Sequence, residues 1–133
     1  MGFRGNALTP ERSNLQSVKR EAAERRGRRA ETIAAWWLRL HGWSILAKRA
    51  RVPGGEVDLV ARRGHTLAFV EVKQRATAEA AARSLDQYRL RRVAIAAEQL
   101  ALRYMRPGDI LRIDAIYLVP RRLPRHLANV WTG

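Results

Sequence analysis

The run Leu67-Ala-Phe-Val-Glu-Val-Lys73 constrains the fold more than any other segment of the chain. Its apolar residues are nearly continuous, which suits a strand buried on both faces. Yet it carries one carboxylate and ends on an ammonium. Ionised groups are costly in a core unless they are paired, hydrogen-bonded or bound to metal. A fold that buries this strand must therefore give Glu71 and Lys73 partners.

The preceding segments supply neighbours for it. Trp43 to Arg51 carries Ile45 and Ala47 as inward candidates, Pro53-Gly54-Gly55 signals a turn, Glu56 to Ala61 is strand-like, and Arg63-Gly64 marks the next turn. Three strands joined by two short turns form an antiparallel meander. Before it, Ala30, Ile33, Ala34, Trp37, Leu38 and His41 recur at helical spacing and Gly42 stops the run, which predicts a helix over residues 17–41. After it, residues 74–78 are expected as a loop. A second long helix is predicted over Ala80–Met105, with Leu90, Val93, Ala94, Ala97, Leu100, Ala101 and Tyr104 as its buried stripe. Pro107-Gly108 ends it, Leu111–Val119 is the fourth strand, and a short final strand is expected around Leu127–Trp131. A strand, a crossover helix and another strand allow the fourth strand to lie parallel to a meander strand. The fold class is α/β: an αβββαβ core with a mixed sheet flanked by helices. Residues 1–16 are expected to be a mobile basic tail, and residues 17–133 one domain.

Acidic groups interrupt the meander's apolar pattern at Glu56 with Asp58 and at Glu71. Alternation places Glu71, Lys73 and Arg75 on one strand face, and Asp58 comes beside Glu71 if the register allows, since neighbouring strands lie roughly 4.8 Å apart. Two carboxylates and an amine in one patch suit phosphodiester hydrolysis. Mg²⁺ is typically held by one or two carboxylates plus substrate phosphate, a nearby lysine can orient or deprotonate the attacking water, and Arg75 can clamp a phosphate oxygen. The same residues also suit a structural ion pair. Glu31 borders the apolar stripe of the first helix. Its spacing allows it either to pair with nearby arginines at the surface or to look towards the sheet. Asp114, in the fourth strand, is expected to bond an arginine or a backbone amide rather than to join the site. Trp36 and Trp37 cannot both face the core.

With 26 Lys and Arg against 12 Asp and Glu, the formal charge of +14 calls for a polyanionic partner, nucleic acid first. The densest basic cluster is Lys19, Arg20, Arg25, Arg26, Arg28 and Arg29. There are no cysteines, which excludes disulfides and thiolate chemistry. His41, His65 and His126 form no spaced pair, which argues against a zinc site. No run approaches the roughly 20 apolar residues of a membrane helix. No apolar signal core opens the chain, so a cytoplasmic protein without membrane contact is expected.

At these residues the sequence resembles a known group. Glu31, then Gly55-Glu56-Val57-Asp58-Leu59-Val60, then Phe69-Val70-Glu71-Val72-Lys73-Gln74-Arg75 looks like the bacterial YraN-like family, itself similar to the PD-(D/E)xK nuclease superfamily that includes archaeal Holliday-junction resolvases. The Glu-x-Lys pair alone is a weak signal; the two strand motifs at this spacing after the Glu31 helix are far more specific. The resemblance covers roughly residues 24–131 and implies a restriction-endonuclease-like core. It implies Asp58 and Glu71 as ligands of Mg²⁺ or Mn²⁺, Lys73 as catalytic and Glu31 as an accessory acid. Glu56 also fits the pattern, with no clear role, and Val57-Asp58 stands where the superfamily has Pro-Asp. The expected function is metal-dependent cleavage of DNA, as an endonuclease or structure-selective processing enzyme. The rivals are a non-catalytic nucleic-acid-binding module of the same fold and an RNA-associated basic protein. DNA is the expected partner ahead of RNA, and the analogy with resolvases suggests a homodimer.

Overall fold

The computed structural model describes residues 10–84 and 86–131, with side chains described from Asn14 onward. Its elements are α1 (Pro10–Leu40), β1 (Ser44–Val52), β2 (Gly55–Arg63), β3 (Thr66–Gln74), α2 (Ala78–Arg83), α3 (Gln87–Tyr104), β4 (Ile110–Leu118) and β5 (Arg125–Leu127). They form the mixed α/β architecture expected. One five-stranded sheet runs in the order β1-β2-β3-β4-β5. β3 and β4 are parallel, and every other neighbouring pair is antiparallel.

Each face of the sheet is covered by a different helix. Ala30, Ala34, Ala35 and Leu38 of α1 pack on Leu59, Ala61, Ala68, Val70 and Ile116. Leu90, Val93, Ala96, Ala97 and Leu100 of α3 pack on Val57, Val60, Leu67, Phe69 and Ile113. β3 contributes to both clusters and lies between them, so its apolar run is buried on both sides. The small alanines of α1 let the helix sit close to the strands. Gly42 (φ 87°) ends α1 in a left-handed residue. Trp43 N donates to Leu38 O at 3.0 Å and Gly42 N to Arg39 O at 3.1 Å, the paired bonds that close a helix C-terminus.

Several boundaries differ from the sequence reading. The backbone is helical from Pro10, so part of the expected tail belongs to α1; the tail's first nine residues lie outside the described range. Among the described residues, Ala30 is the first buried residue of α1. The turns from Asn14 to Arg29 bury no side chain fully and therefore show no apolar period to read. The expected helix over Ala80–Met105 is two helices. Thr77 caps α2, and Asp86, whose carboxylate accepts from Arg89 N at 2.8 Å, caps α3. The buried stripe of α3 includes Ala96, which the reading omitted, and Ala94 and Tyr104 are only partly buried. The last strand is Arg125–Leu127, slightly earlier than expected. Ile33, expected inward, is 43% exposed, and Ala35 is buried in its place. Trp36 is exposed and Trp37 half-buried, so the pair does divide as expected. No helix among the described residues is long and apolar enough to cross a membrane.

Candidate functional site

The site begins at a defect in the sheet. Strict alternation would put Val57, Leu59 and Ala61 on one face. Val57 instead packs with α3, while Leu59 and Ala61 pack with α1. The alternation breaks at Asp58. Opposite it, β1 shifts register earlier, between Ile45 and Ala47, and then keeps its register from Lys48↔Leu59 to Ala50↔Val57 while skipping the Arg49–Asp58 rung; Arg49 has φ 53°. A non-glycine residue in the left-handed region is strained, and such strain collects at functional positions.

β2 and β3 separate at the same point. Their paired residues run from Arg63↔Thr66 to Leu59↔Val70. Beyond that, β2 continues beside β1 to Gly55, and β3 continues beside β4 to Gln74. The next rung would join Asp58 to Glu71. In its place the Asp58 side chain takes the freed backbone group: Val72 N donates to Asp58 Oδ2 at 2.7 Å. Asp58 therefore turns into the gap between the two strands.

Glu71 and Lys73 meet there from β3. They are 4% and 5% exposed, and Lys73 Nζ lies 4.0 Å from Glu71 Oε2. Arg89 of α3 brings its Nε to 3.6 Å from the same oxygen. Burial pushes the Asp58 carboxyl up to about 8, reinforced by the neighbouring Glu71 and only partly offset by the Val72 N–H and Lys73. Burial also lowers the Lys73 ammonium; Glu71 opposes this, while Arg89 and Arg75 add to it. A cramped acid pair that holds a proton and a desolvated lysine are the perturbations expected of groups prepared for chemistry.

Glu31 meets both of its expectations. It pairs with an arginine, Arg49 Nε donating to its Oε1, and it also faces the sheet at the opening beside Asp58. Burial raises its carboxyl, Arg49 lowers it and Asp58 raises it. A cavity of about 300 Å³ opens between α1 and the sheet, lined by Glu31 and Asp58 together with Arg26, Val72, Gln74 and Arg89. A smaller one of about 90 Å³ shares Glu31 and Asp58 and reaches Arg49, Arg51 and Glu56. Glu56 thus stands at the rim, 3.7 Å from Arg51 and 4.0 Å from Arg92, apart from the acid pair. Glu71 and Lys73 lie behind Arg89, outside the lining of the larger cavity.

Asp58 and Glu71 are the carboxylates able to share a cation. The donor set fits a hard ion such as Mg²⁺ or Mn²⁺: oxygen ligands, two adjacent acids and open space for water on the Asp58 side. Glu31 is held by Arg49, and among the described residues no group of three or more His, Asp or Glu is arranged to hold a metal ion. A cation here would keep water or substrate oxygens in its remaining positions.

The basic residues divide. Of Lys19, Arg20, Arg25, Arg26, Arg28 and Arg29, all exposed on α1, Arg26 alone lines the cavity. Arg25 pairs with Glu21 and Arg28 with Glu24 along the helix. Arg75 is exposed, and its guanidinium donates to Gln74 O at 2.7 Å rather than facing the cavity. Sequence reasoning missed Arg49 and Arg89. A long side chain's target is not encoded in local spacing; the positive charge opposite a buried acid is the only available signal. Asp114 is fully buried away from the site and accepts from Arg112, at 2.8 and 3.0 Å, and from Asn129 N at 2.9 Å, with His126 Nε2 at 2.8 Å. Burial works to raise its carboxyl, and these bonds override that and hold it low. It is the arginine- and amide-bonded residue expected.

Residues 30–118 match the family described as Uncharacterised protein family UPF0102. The chain is 66% identical over 114 residues to a UPF0102 protein of Sphingopyxis alaskensis, covering 86% of this chain and 98% of that one. It is 58% identical over 115 residues to one from Rhizorhabdus wittichii, covering 86% and 98%. It is 46% identical over 131 residues to the UPF0102 protein amb4503 of Paramagnetospirillum magneticum, covering 95% and 97%.

Proposed function

This chain belongs to the UPF0102 family, and we propose that it is a Mg²⁺- or Mn²⁺-dependent phosphodiesterase acting on DNA. One observation carries the reading: a half-buried Asp58 beside a buried Glu71 and a desolvated Lys73, set where two strands part and a cavity opens. The likeness of its strand motifs to PD-(D/E)xK nucleases and the +14 charge support the same conclusion.

In this reading Asp58 and Glu71 hold the cation. When bound, it supplies Lewis-acid polarisation of a phosphoryl oxygen and lowers the pKa of water. Lys73, its ammonium made easier to deprotonate by burial, accepts or positions a proton of the attacking water. The Val72 N–H fixes one Asp58 oxygen, which holds the carboxyl against Glu71, where the two acids would hold the ion. Glu31 keeps Arg49 in place at the mouth of the site and adds negative charge beside Asp58.

The purified protein is expected to cut labelled single-stranded, duplex, flapped or four-way DNA in Mg²⁺ or Mn²⁺, and to stop in chelator. Lys73→Ala should lower the rate at least about 100-fold, the usual scale of general acid–base assistance, with an unchanged circular dichroism spectrum. Equal cleavage by wild type and Lys73→Ala places the chemistry elsewhere.

A second reading has one observation in its favour. Arg89 screens Glu71 from the cavity, as it would in a protein that binds nucleic acid without cutting it. Salt-sensitive binding with no cleavage across that panel, and no dependence on metal, selects this alternative.

A further inference from the structure

The cavity beside Asp58 is richer in donors than a metal site requires. Arg26 comes to it from α1, Arg89 from α3 and Gln74 from the end of β3, while Asp58 and Glu31 supply the acids. Two guanidinium groups and an amide in one small cavity are a poor match for a cation alone. They match an anion bound next to a cation, as a phosphodiester is when one of its oxygens sits on a metal.

Arg89 is the telling residue. Its Nε lies 3.6 Å from Glu71 Oε2, well beyond the roughly 2.8 Å of a tight charge-assisted hydrogen bond. Its side chain is 43% exposed whereas that of Glu71 is 5% exposed. It thus covers the buried acid loosely while keeping a route to the solvent-filled side. A divalent ion on Glu71 would share that carboxylate with the guanidinium, and like charges a few ångströms apart repel. The backbone, by contrast, is fixed: Asp86 accepts the Arg89 N–H at 2.8 Å, and Leu90 beside it is buried in the core. Only the side chain is free to respond.

We propose that Arg89 is an exchangeable phosphate ligand. It neutralises Glu71 when no cation is present. When a cation takes Glu71, the guanidinium turns to a phosphate oxygen of the nucleic acid strand lying in the cavity, which Arg26 grips from α1. The inference rests on the metal-dependent reading above and adds to it the path of the strand, between α1 and the start of α3. A planar guanidinium suits this exchange because its fork fits carboxylate and phosphate alike, which an ammonium does not.

The exchange gives Arg89 two effects of opposite sign, which a merely structural ion pair does not produce. Mn²⁺ binding is followed by calorimetry without DNA. Binding of a fluorescent single-stranded oligonucleotide is followed by anisotropy across a salt series, in chelator and again with saturating Mn²⁺ on a Lys73→Ala background. Arg89→Ala should tighten Mn²⁺ severalfold by removing its competitor for Glu71. It should also lower the slope of log affinity against log salt by about 0.7, one phosphate contact on a single strand, in the Mn²⁺ series. In chelator, where Arg89 stays on Glu71, that slope should hardly change. Arg26→Ala should lower the slope and leave Mn²⁺ binding as it was. Arg89→Lys should keep part of the slope but not the full affinity. If Arg89→Ala weakens Mn²⁺ binding, or leaves the slope unchanged in Mn²⁺, the exchange does not occur even though the metal reading stands. If the wild type binds no Mn²⁺, or Asp58→Asn and Glu71→Gln leave its Mn²⁺ binding intact, the metal reading itself fails and the exchange falls with it.

Discussion

The Asp58 carboxyl, pushed up to about 8 by burial and by Glu71, carries its proton at neutral pH, where an aspartate with the ordinary value of 3.8 has lost it. Between those two values the native state holds a proton that the unfolded chain has released. Stability therefore falls as pH rises through this window and levels off above about 8. Asparagine keeps an oxygen to accept the Val72 N–H and has no charge to bury, so Asp58→Asn should remove the effect. In metal-free buffer it is expected to be more stable than wild type at pH 8.5, by on the order of a few kcal/mol and with a higher melting temperature, and to converge with it only below about pH 4. Parallel melting curves across this range mean that Asp58 is not strained by its acid neighbour. The same proton must leave when a cation binds, so Mn²⁺ affinity should climb with pH below about 8 and flatten above it. Asp58, Glu71 and Lys73 were legible in the sequence because charges within apolar strands are conspicuous. Arg89 and Arg49 were not, because arginines are abundant in this chain and only the fold tells which of them face a buried acid.

The elements hold these side chains in place through two close fits. At the start of β2, a Cβ on Gly55 would stand 2.4 Å from Arg92 O and 2.8 Å from Ala96 N, both backbone atoms of α3. Neither can give way without moving the helix. Gly55→Ala should therefore cost about 1–3 kcal/mol, the range of overpacked cores, read as a lower denaturation midpoint with an unchanged m-value. At the start of α3, Asp86→Ala removes the cap on Arg89 N and should cost about 1 kcal/mol. The order of elements could be read because the meander and the Leu90–Leu100 stripe have clear periods, and the crossover rule then allowed the fourth strand to lie parallel to a meander strand, which the fold shows to be β3. The defect at Asp58 and Arg49 could not. Reading a strand from its sequence assumes unbroken alternation, and here Val57 and Leu59 face opposite sides. That break creates the opening, so the one feature hidden from the periodicity is also the one that makes the site.

At the scale of the molecule, charge and cavity point the same way. Lys19 and Arg26 lie one heptad apart on the same face of α1, which places a basic track above the opening that Arg26 lines. Arg20, Arg25, Arg28 and Arg29 lie outside the cavity lining, and in the proposed reading they would supply long-range attraction. Replacing Lys19, Arg20, Arg25, Arg28 and Arg29 together with Gln should weaken DNA binding at low salt for every sequence alike and flatten its salt dependence. Mn²⁺ binding should stay unchanged, because none of the five lines the cavity. A mutant that loses Mn²⁺ binding as well would tie α1 to the acid pair more closely than the contacts show. Whether Asp58 and Glu71 share a cation is tested most directly by anomalous diffraction at the manganese edge from crystals grown in Mn²⁺. The expected result is one ion within about 2.3 Å of an oxygen of each carboxylate, with waters in its remaining positions and the Arg89 guanidinium displaced from Glu71. An undisturbed Asp58–Glu71 pair with no manganese between them, in crystals that hold the ion elsewhere or not at all, contradicts it.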